Sequence, residues 1–535
     1  MNSESTAERQ DCFPAVEAPS PSPKLADLQL LLDLSPDMIL PFKQAKLLTD
    51  AARRRPVTRK LRQVFWDTAD YRLGRAGMAI AVQSTGQKRS QLLRSIKEPP
   101  VGGRILHQQD SPLPGETLDL TRLALLPGGD PAVAMRVTTD MLVPVFALDL
   151  TRTIWQVTFG DSSMVVTLDL GTIESVAGPA EFRQIALVAT SGPSQALYEF
   201  VQRLQRTVPA TFATHDPAQQ GYRLVAGADW WPGNRNGTAH LLPNMSVQQG
   251  ILAIGRAATA ALRANVQALE TNLDPEKIHE TRVAIRRLRS ALSVFRAALP
   301  PFSRQALTRD LGALANKLGH ARELDVFLAE TLAPLSQANG EESGLRSLRL
   351  TASVMRQNSA ESARQAVTAP DFATLSCRLA AWFDAGIWPE LPSAEAALLL
   401  DQPFTDYAGA LLRKHHRTLL TAGHGLRDPQ AAELHALRIQ AKKLRYTAEF
   451  VRSLYLQKPT RRYIAALKAI QDILGTINDA FVAQALLPQM VKSDPAGGAR
   501  AGGLVAGWSA AEVAAARARF AKIWKRFTET RRFWK

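Results

Sequence analysis

The sequence predicts a two-part chain. An α+β half, built on an antiparallel sheet and tunnel- or barrel-like, precedes an all-α half made of two copies of one helical bundle. Three observations predict this. Short β-branched and aromatic runs separated by Gly, Pro and Asp fill the first 225 residues. Helix-period patterns almost free of interior proline fill residues 245–535. And "HETRVAIRRLRSAL" at His279–Leu292 recurs as "HALRIQAKKLRYTA" at His435–Ala448.

Residues 1–23 are rich in Ser and Pro and read as a disordered leader. They lack the basic start and apolar stretch of a secretory signal. Residues 24–225 read as the α+β domain. A strand-then-helix pattern lies between Leu25 and Leu48. "QVFWDTA", "GMAIAVQS", "SQLLRSIK", "TRTIWQVTF" and "SMVVTLDLG" read as strands. "GPSQALYEFVQRLQRTV" reads as an amphipathic helix, apolar at Leu197, Phe200, Val201 and Leu204. Gly, Pro and Asn cluster in residues 226–244, the expected linker. Beyond it, residues 245–535 read as two bundle repeats. "LGHARELDV" at Leu318–Val326 and "LGTINDAFV" at Leu474–Val482 stand at the same 156-residue offset as the two His-led stretches.

The formal net charge of +16 over 535 residues is unevenly spread. Residues 1–225 carry 24 basic and 23 acidic side chains, the remainder 41 and 26. An anionic partner is therefore expected for the second half. The only cysteines are Cys12 and Cys377, which excludes a disulfide framework or a cysteine-built metal site and fits a reducing cytoplasm. No apolar run has the length of a membrane span, so no membrane association is expected.

On a helix each residue advances about 100°. With His279 at zero, Arg282, Arg286 and Arg289 fall at about −60°, −20° and −80°, on one face. Ile285, Leu288, Leu292 and Phe295 fall opposite, as the core stripe. His435, Arg438, Lys442 and Arg445 take the same four places in the second copy. Lys317, Arg322, Arg413 and Arg417 are lesser candidates placed near the ridges by helical phase. Stacked like charges weaken an isolated helix. Repeating them twice makes sense where a polyanion neutralises them, and the planar fork of Arg suits phosphate oxygens. No aromatic ladder interleaves with the cations, so nucleic acid is a possible but not a favoured partner. His279, His435 and the pair His415–His416 lack metal-ligand spacing, and no metal site is predicted. No Walker A loop, Rossmann fingerprint or G-x-S-x-G elbow is present.

At these residues the chain resembles the CHAD family, a duplicated helical bundle with histidine and basic residues at these spacings. The resemblance runs from Met245 to the C-terminal "RRFWK" and includes "LGHARELDV", "LRY" at Leu444–Tyr446 and "LGTINDA". It implies binding of inorganic polyphosphate in a basic channel between the bundles, and association with polyphosphate granules.

The first half resembles the CYTH, or triphosphate tunnel metalloenzyme, family. "VFWDTADYRLGRAGMAIAVQ", "VVTLDLGTI" and "GYRL" carry that resemblance. The enzymes of that family need tunnel cations for the triphosphate and several Glu for a divalent metal. Here the opening Glu-x-Glu-x-Lys falls on Asp27, Gln29 and Leu31, and two arginines become Ala81 and Gln83. In "FALDLTRTI" Arg152 survives while Ala147, Asp149 and Ile154 replace other family positions. Gln184, Ala186 and Val188 stand where carboxylates would be, leaving Lys97, Arg152 and Asp169. A pseudoenzyme is implied, with no catalytic residue. The expected function is polyphosphate binding, with no cofactor and no identifiable protein partner. The alternative is a metal-dependent inorganic triphosphatase whose helical half holds the substrate. It would need Mg²⁺ or Mn²⁺ and another catalytic set drawn from Asp27, Gln108, Asp110 and Asp169.

Overall fold

The computed structural model describes residues 28–534 except 97–103, 106, 114, 116, 128, 228–229, 231–236, 341, 391, 426–429 and 492–494. The expected leader, Asp27 and Lys97 lie outside the described residues.

Ten strands make one antiparallel sheet: β1 Leu28–Leu34, β2 Val57–Asp67, β3 Met78–Thr85, β4 Lys88–Ser95, β5 Arg104–Ile105, β6 Gln108–Pro112, β7 Val143–Phe159, β8 Ser162–Ser175, β9 Ala180–Ser191 and β10 Ala210–Phe212. Their order is β10-β1-β9-β8-β7-β2-β3-β4-β6. Strand β5 also adds to β1, while β6 adds to β4. Strands β5 and β6 thus meet the two ends of the sheet and close it into a tunnel, which removes most of the exposed edge.

Strand alternation assigns the tunnel's inner face. Leu61, Gln63 and Phe65 on β2 pair with Leu150, Leu148 and Phe146 on β7. Ile173, Gly171 and Asp169 on β8 continue that row, followed by Phe182 and Gln184 on β9. Most of these side chains are apolar, and they form one core cluster with Ala79, Ala81 and Leu92. The pleat corrects one sequence expectation. Ala147 and Asp149 have the opposite parity to Arg152 and point outward, where Asp149 pairs with the exposed Arg62.

Helix α1, Gln195–Leu204, covers the outer face and buries Leu197, Phe200, Val201 and Leu204 as expected. Helix α2, Pro217–Ala226, packs on the inner face. Its Asp216 cap accepts from the Gln219 amide, and Arg94 donates to the Asp216 carboxylate at 2.9 Å. Tyr222 meets Phe146 edge-on, with ring centroids 5.1 Å apart, and Trp230 stacks on Tyr222. Gly221 permits this approach, because a Cβ there would stand 2.2 Å from the Phe146 ring.

The helical half contains α3 Val247–Thr271, α4 Pro275–Val294, α5 Pro301–Lys317, α6 Gly319–Val326, α7 Ser343–Thr368, α8 Pro370–Leu379, α9 Phe404–Gly423, α10 Ala431–Phe450, α11 Gln457–Met490 and α12 Pro495–Thr528. Ile285, Leu288, Leu292 and Phe295 are fully buried in one core with Leu437, Ala441 and Leu444 of α10. The 3.6-residue stripe read from the sequence is the face that packs.

The two halves share a packed junction. Cys377, Ala380 and Ala381 join the cluster formed by α1 and the outer face of the sheet. Arg263 of α3 is 3% exposed. It donates to the Ser376 hydroxyl and carbonyl, faces the buried Asp384 at 3.4 Å, and lies over the Phe212 ring of β10. Among the described residues no helix is long and apolar enough to cross a membrane.

Candidate anion-binding site

Helices α4 and α10 start from firm caps. Asp274 accepts from the Glu276 amide, and Gln430 with Glu433 forms a reciprocal box. Burial of their apolar stripes then aims both cationic ridges at one cavity of about 540 Å³. His279, Arg282, Arg286 and Arg289 line it from α4, Arg322 from α6, and Arg438 and Lys442 from α10. Glu323, Glu330, Asn478 and Asp479 complete the polar wall. Six Lys and Arg side chains therefore face three carboxylates.

Each repeat fixes its first arginine. Arg282 Nη1 donates to the Ala315 carbonyl at 2.7 Å, and Arg438 Nη1 donates to Asn478 Oδ1 at 2.7 Å. Gly319 leaves room for Arg282, whose Nη1 would lie 3.2 Å from an added Cβ. Arg286 Nε donates to the Tyr446 hydroxyl of the other repeat. Glu323 and Asp479 oppose the mutual repulsion of the cations at Arg282 and Arg438. They occupy equivalent places in the two repeats, one after Arg322 and one after Asn478.

Burial and like charge still disfavour the protonated forms of two of these groups. Burial, then the nearby Arg438 and Arg286, push the Lys442 amine down to about 8. Burial first and Arg322 second hold His279 below the usual imidazole range. Phe327, which lines the cavity, opens a six-residue π-helical stretch, Phe327–Leu332. Such stretches often occur at functional sites.

Five expected residues stand elsewhere. His435 is exposed near the start of α10, and Arg417 is exposed on α9. Arg413 lies beside Gly409 and Tyr455. Lys317 lines a separate depression with Asp310 and Arg378. Arg445 turns to Glu449, 3.2 Å away, and lies over the Tyr446 ring. The sequence reading missed Glu323, Glu330, Asn478 and Asp479. The repeated "LGHARELDV" and "LGTINDAFV" held the signal for three of them.

The tunnel offers a different chemistry. Arg152 donates to both Asp169 oxygens at 2.7 and 2.6 Å, neutralising that pair. Gln184 donates to Asp33, whose carboxyl is raised to about 6 by burial. Asp33 and Asp169 both pair with Gln184 across β9, so two strand spacings, about 10 Å, separate them. Each carboxylate already has a partner, Gln184 for Asp33 and Arg152 for Asp169. Among the described residues no three His, Cys, Asp or Glu side chains are grouped to hold a metal.

A CHAD domain family model matches residues 253–488. The CHAD domain of the plant Ricinus communis is 32% identical, with 54% of this chain and 94% of that one covered and a TM-score of 0.47. PptA from Streptomyces chartreusis is 19% identical over 52% of this chain and 99% of its own, with a TM-score of 0.40. The Hippeastrum protein HpAC1, described as having a dominant triphosphatase activity, is 16% identical over 36% and 93%, with a TM-score of 0.26. A search of the curated proteins finds no match.

Proposed function

Because residues 253–488 of this chain belong to the CHAD family, we propose that it binds inorganic polyphosphate between its two helical repeats and so associates with polyphosphate granules in the cytoplasm. The supporting observation is the convergence of cations from both repeats, Arg282, Arg286 and Arg289 with Arg438 and Lys442, on one cavity. A linear phosphate chain carries charge at every unit and has no bases to stack. It asks for guanidinium forks and ammonium groups without an aromatic platform. In this reading the sheet domain supports the helical half and does not turn over substrate: its Arg152 is occupied by Asp169, and apolar side chains and α2 fill part of its inner face.

Titration of the full chain with labelled long-chain polyphosphate, tripolyphosphate and duplex DNA at several salt concentrations tests this reading. Six neutralised phosphates give a slope of about −4 in log K against log salt for a flexible chain. Long-chain polyphosphate should bind tightest, and no phosphate should be released with Mg²⁺ or Mn²⁺. DNA binding of equal strength at equal salt overturns the assignment.

A further inference from the structure

Arg286 and Lys442 are equivalent positions in the two repeats but are held differently. Arg286 is anchored by Tyr446. The first-repeat counterparts of Tyr446 and Glu449 are Ser290 and Ser293, so no phenol or carboxylate awaits Lys442 at those places. Among the described residues Lys442 has no ion pair or hydrogen bond. Arg438, Arg286 and Arg445 act on it as like charges, with Asp479 opposing them. It is a half-buried amine on the wall of a cavity rich in guanidinium groups.

We propose that Lys442 is an acylation site whose donors are small acyl phosphates drawn into the cavity by its cations. This rests on the reading of the cavity as an anion site. Burial first, and then the cations that repel its proton, make this amine reactive. With the amine near 8, roughly a quarter is unprotonated at pH 7.5, against about 0.1% of an ordinary lysine. A desolvated lysine among cations is a recognised way to activate this nucleophile.

In the step itself, the Nζ lone pair attacks the acyl carbon and forms the C–N bond. The neighbouring guanidinium groups stabilise the tetrahedral oxyanion. Its collapse breaks the C–O bond to phosphorus and expels inorganic phosphate, which takes up the amine proton directly or through water. The products are a neutral amide and phosphate, with no redox change. One of the cavity's six Lys and Arg charges is lost. Acylation and polyphosphate binding then oppose each other, because each favours a different state of Lys442.

The experiment treats the full chain with acetyl phosphate at pH 7.5, with and without tripolyphosphate. Peptide mass spectrometry follows Lys442 beside the exposed Lys458, Lys468 and Lys522. A parallel sample receives the uncharged N-hydroxysuccinimide ester of acetate, and long-chain polyphosphate binding is measured on the same preparation. Lys442 should react at least tenfold faster than the exposed lysines with acetyl phosphate. Its advantage should shrink with the uncharged ester, and tripolyphosphate should suppress it. Equal rates at all four lysines, with polyphosphate binding intact, overturn the acylation site alone. An equal advantage with both reagents, unaffected by tripolyphosphate, overturns recruitment by the cations. Absence of both polyphosphate binding and protection overturns the anion-site reading as well.

Discussion

Arg286 and Tyr446 stand 160 positions apart in the chain and meet in one hydrogen bond, from the guanidinium Nε to the phenol oxygen. The bond joins the ridge helix of the first repeat to that of the second at the cavity wall. Around it, Glu449 lies 3.7 Å from Arg287 and 3.2 Å from Arg445. Arg445 covers the Tyr446 ring and Arg287 the Phe450 ring. The seam between α4 and α10 is thus a polar network that orients one wall of the site.

Tyr446→Phe removes the acceptor and keeps the ring. It should cost about 1 kcal/mol of stability and lower polyphosphate affinity about threefold, by releasing Arg286 from its fixed orientation. Calorimetric unfolding and a binding titration read the two effects separately. Unchanged affinity would show that the hydrogen bond only closes the seam.

Lys442→Met should weaken binding yet raise the melting temperature of the ligand-free protein at pH 7 by about 2 °C. The folded-state pKa of about 8 lies below the ordinary 10.5, so the native state resists carrying this charge. The strain is full below pH 8 and relieved as pH rises toward 10.5, where the unfolded chain also loses the proton. The thermal advantage of the variant should fade over that window. A variant that melts lower at pH 7 contradicts this.

Polyphosphate affinity should be constant near pH 7 and fall as pH rises through about 8, where free Lys442 deprotonates. Above that pH, binding must take up a proton. Calorimetry in buffers of different ionisation enthalpy measures the uptake, and Lys442→Arg should abolish it. Identical uptake in that variant assigns the proton elsewhere.

Asp169→Ala should leave Arg152 unpaired on the inner face of the sheet. The expected cost is about 2 kcal/mol, less than for a fully buried pair because Arg152 is 33% exposed. Polyphosphate affinity should not change. Metal-dependent phosphate release by the parent chain, lost in this variant, would establish turnover in the sheet domain.

The ridges were legible because one helical period governs both burial and charge: once Leu288 and Leu292 are core, Arg282 and Arg286 have one direction to face. That both ridges would face one channel was implied by the family resemblance; the repeat itself showed only that the two ridges are equivalent. What the sequence hid depends on contacts between elements. Arg445 has the right phase, but Glu449 four residues on captures it. Tyr446 was visible as a motif residue, whereas its bond to Arg286 requires α4 and α10 to be packed. In the sheet, the odd spacing of Ala147 and Asp149 from Arg152 already sets them on opposite faces of one strand, but the sequence reading took them as one set, and the strand register corrects it. Nor did the sequence reveal that α2 fills the inner face through Gly221 and Tyr222.

The most direct test of the central claim is long-chain polyphosphate binding to Arg286→Glu/Lys442→Glu beside the parent chain, across salt concentrations and with circular dichroism confirming the fold. Loss of at least a hundredfold in affinity, with a salt slope smaller by at least about 1.4, is the expected result. Binding of undiminished strength and slope by the folded double variant would contradict the account.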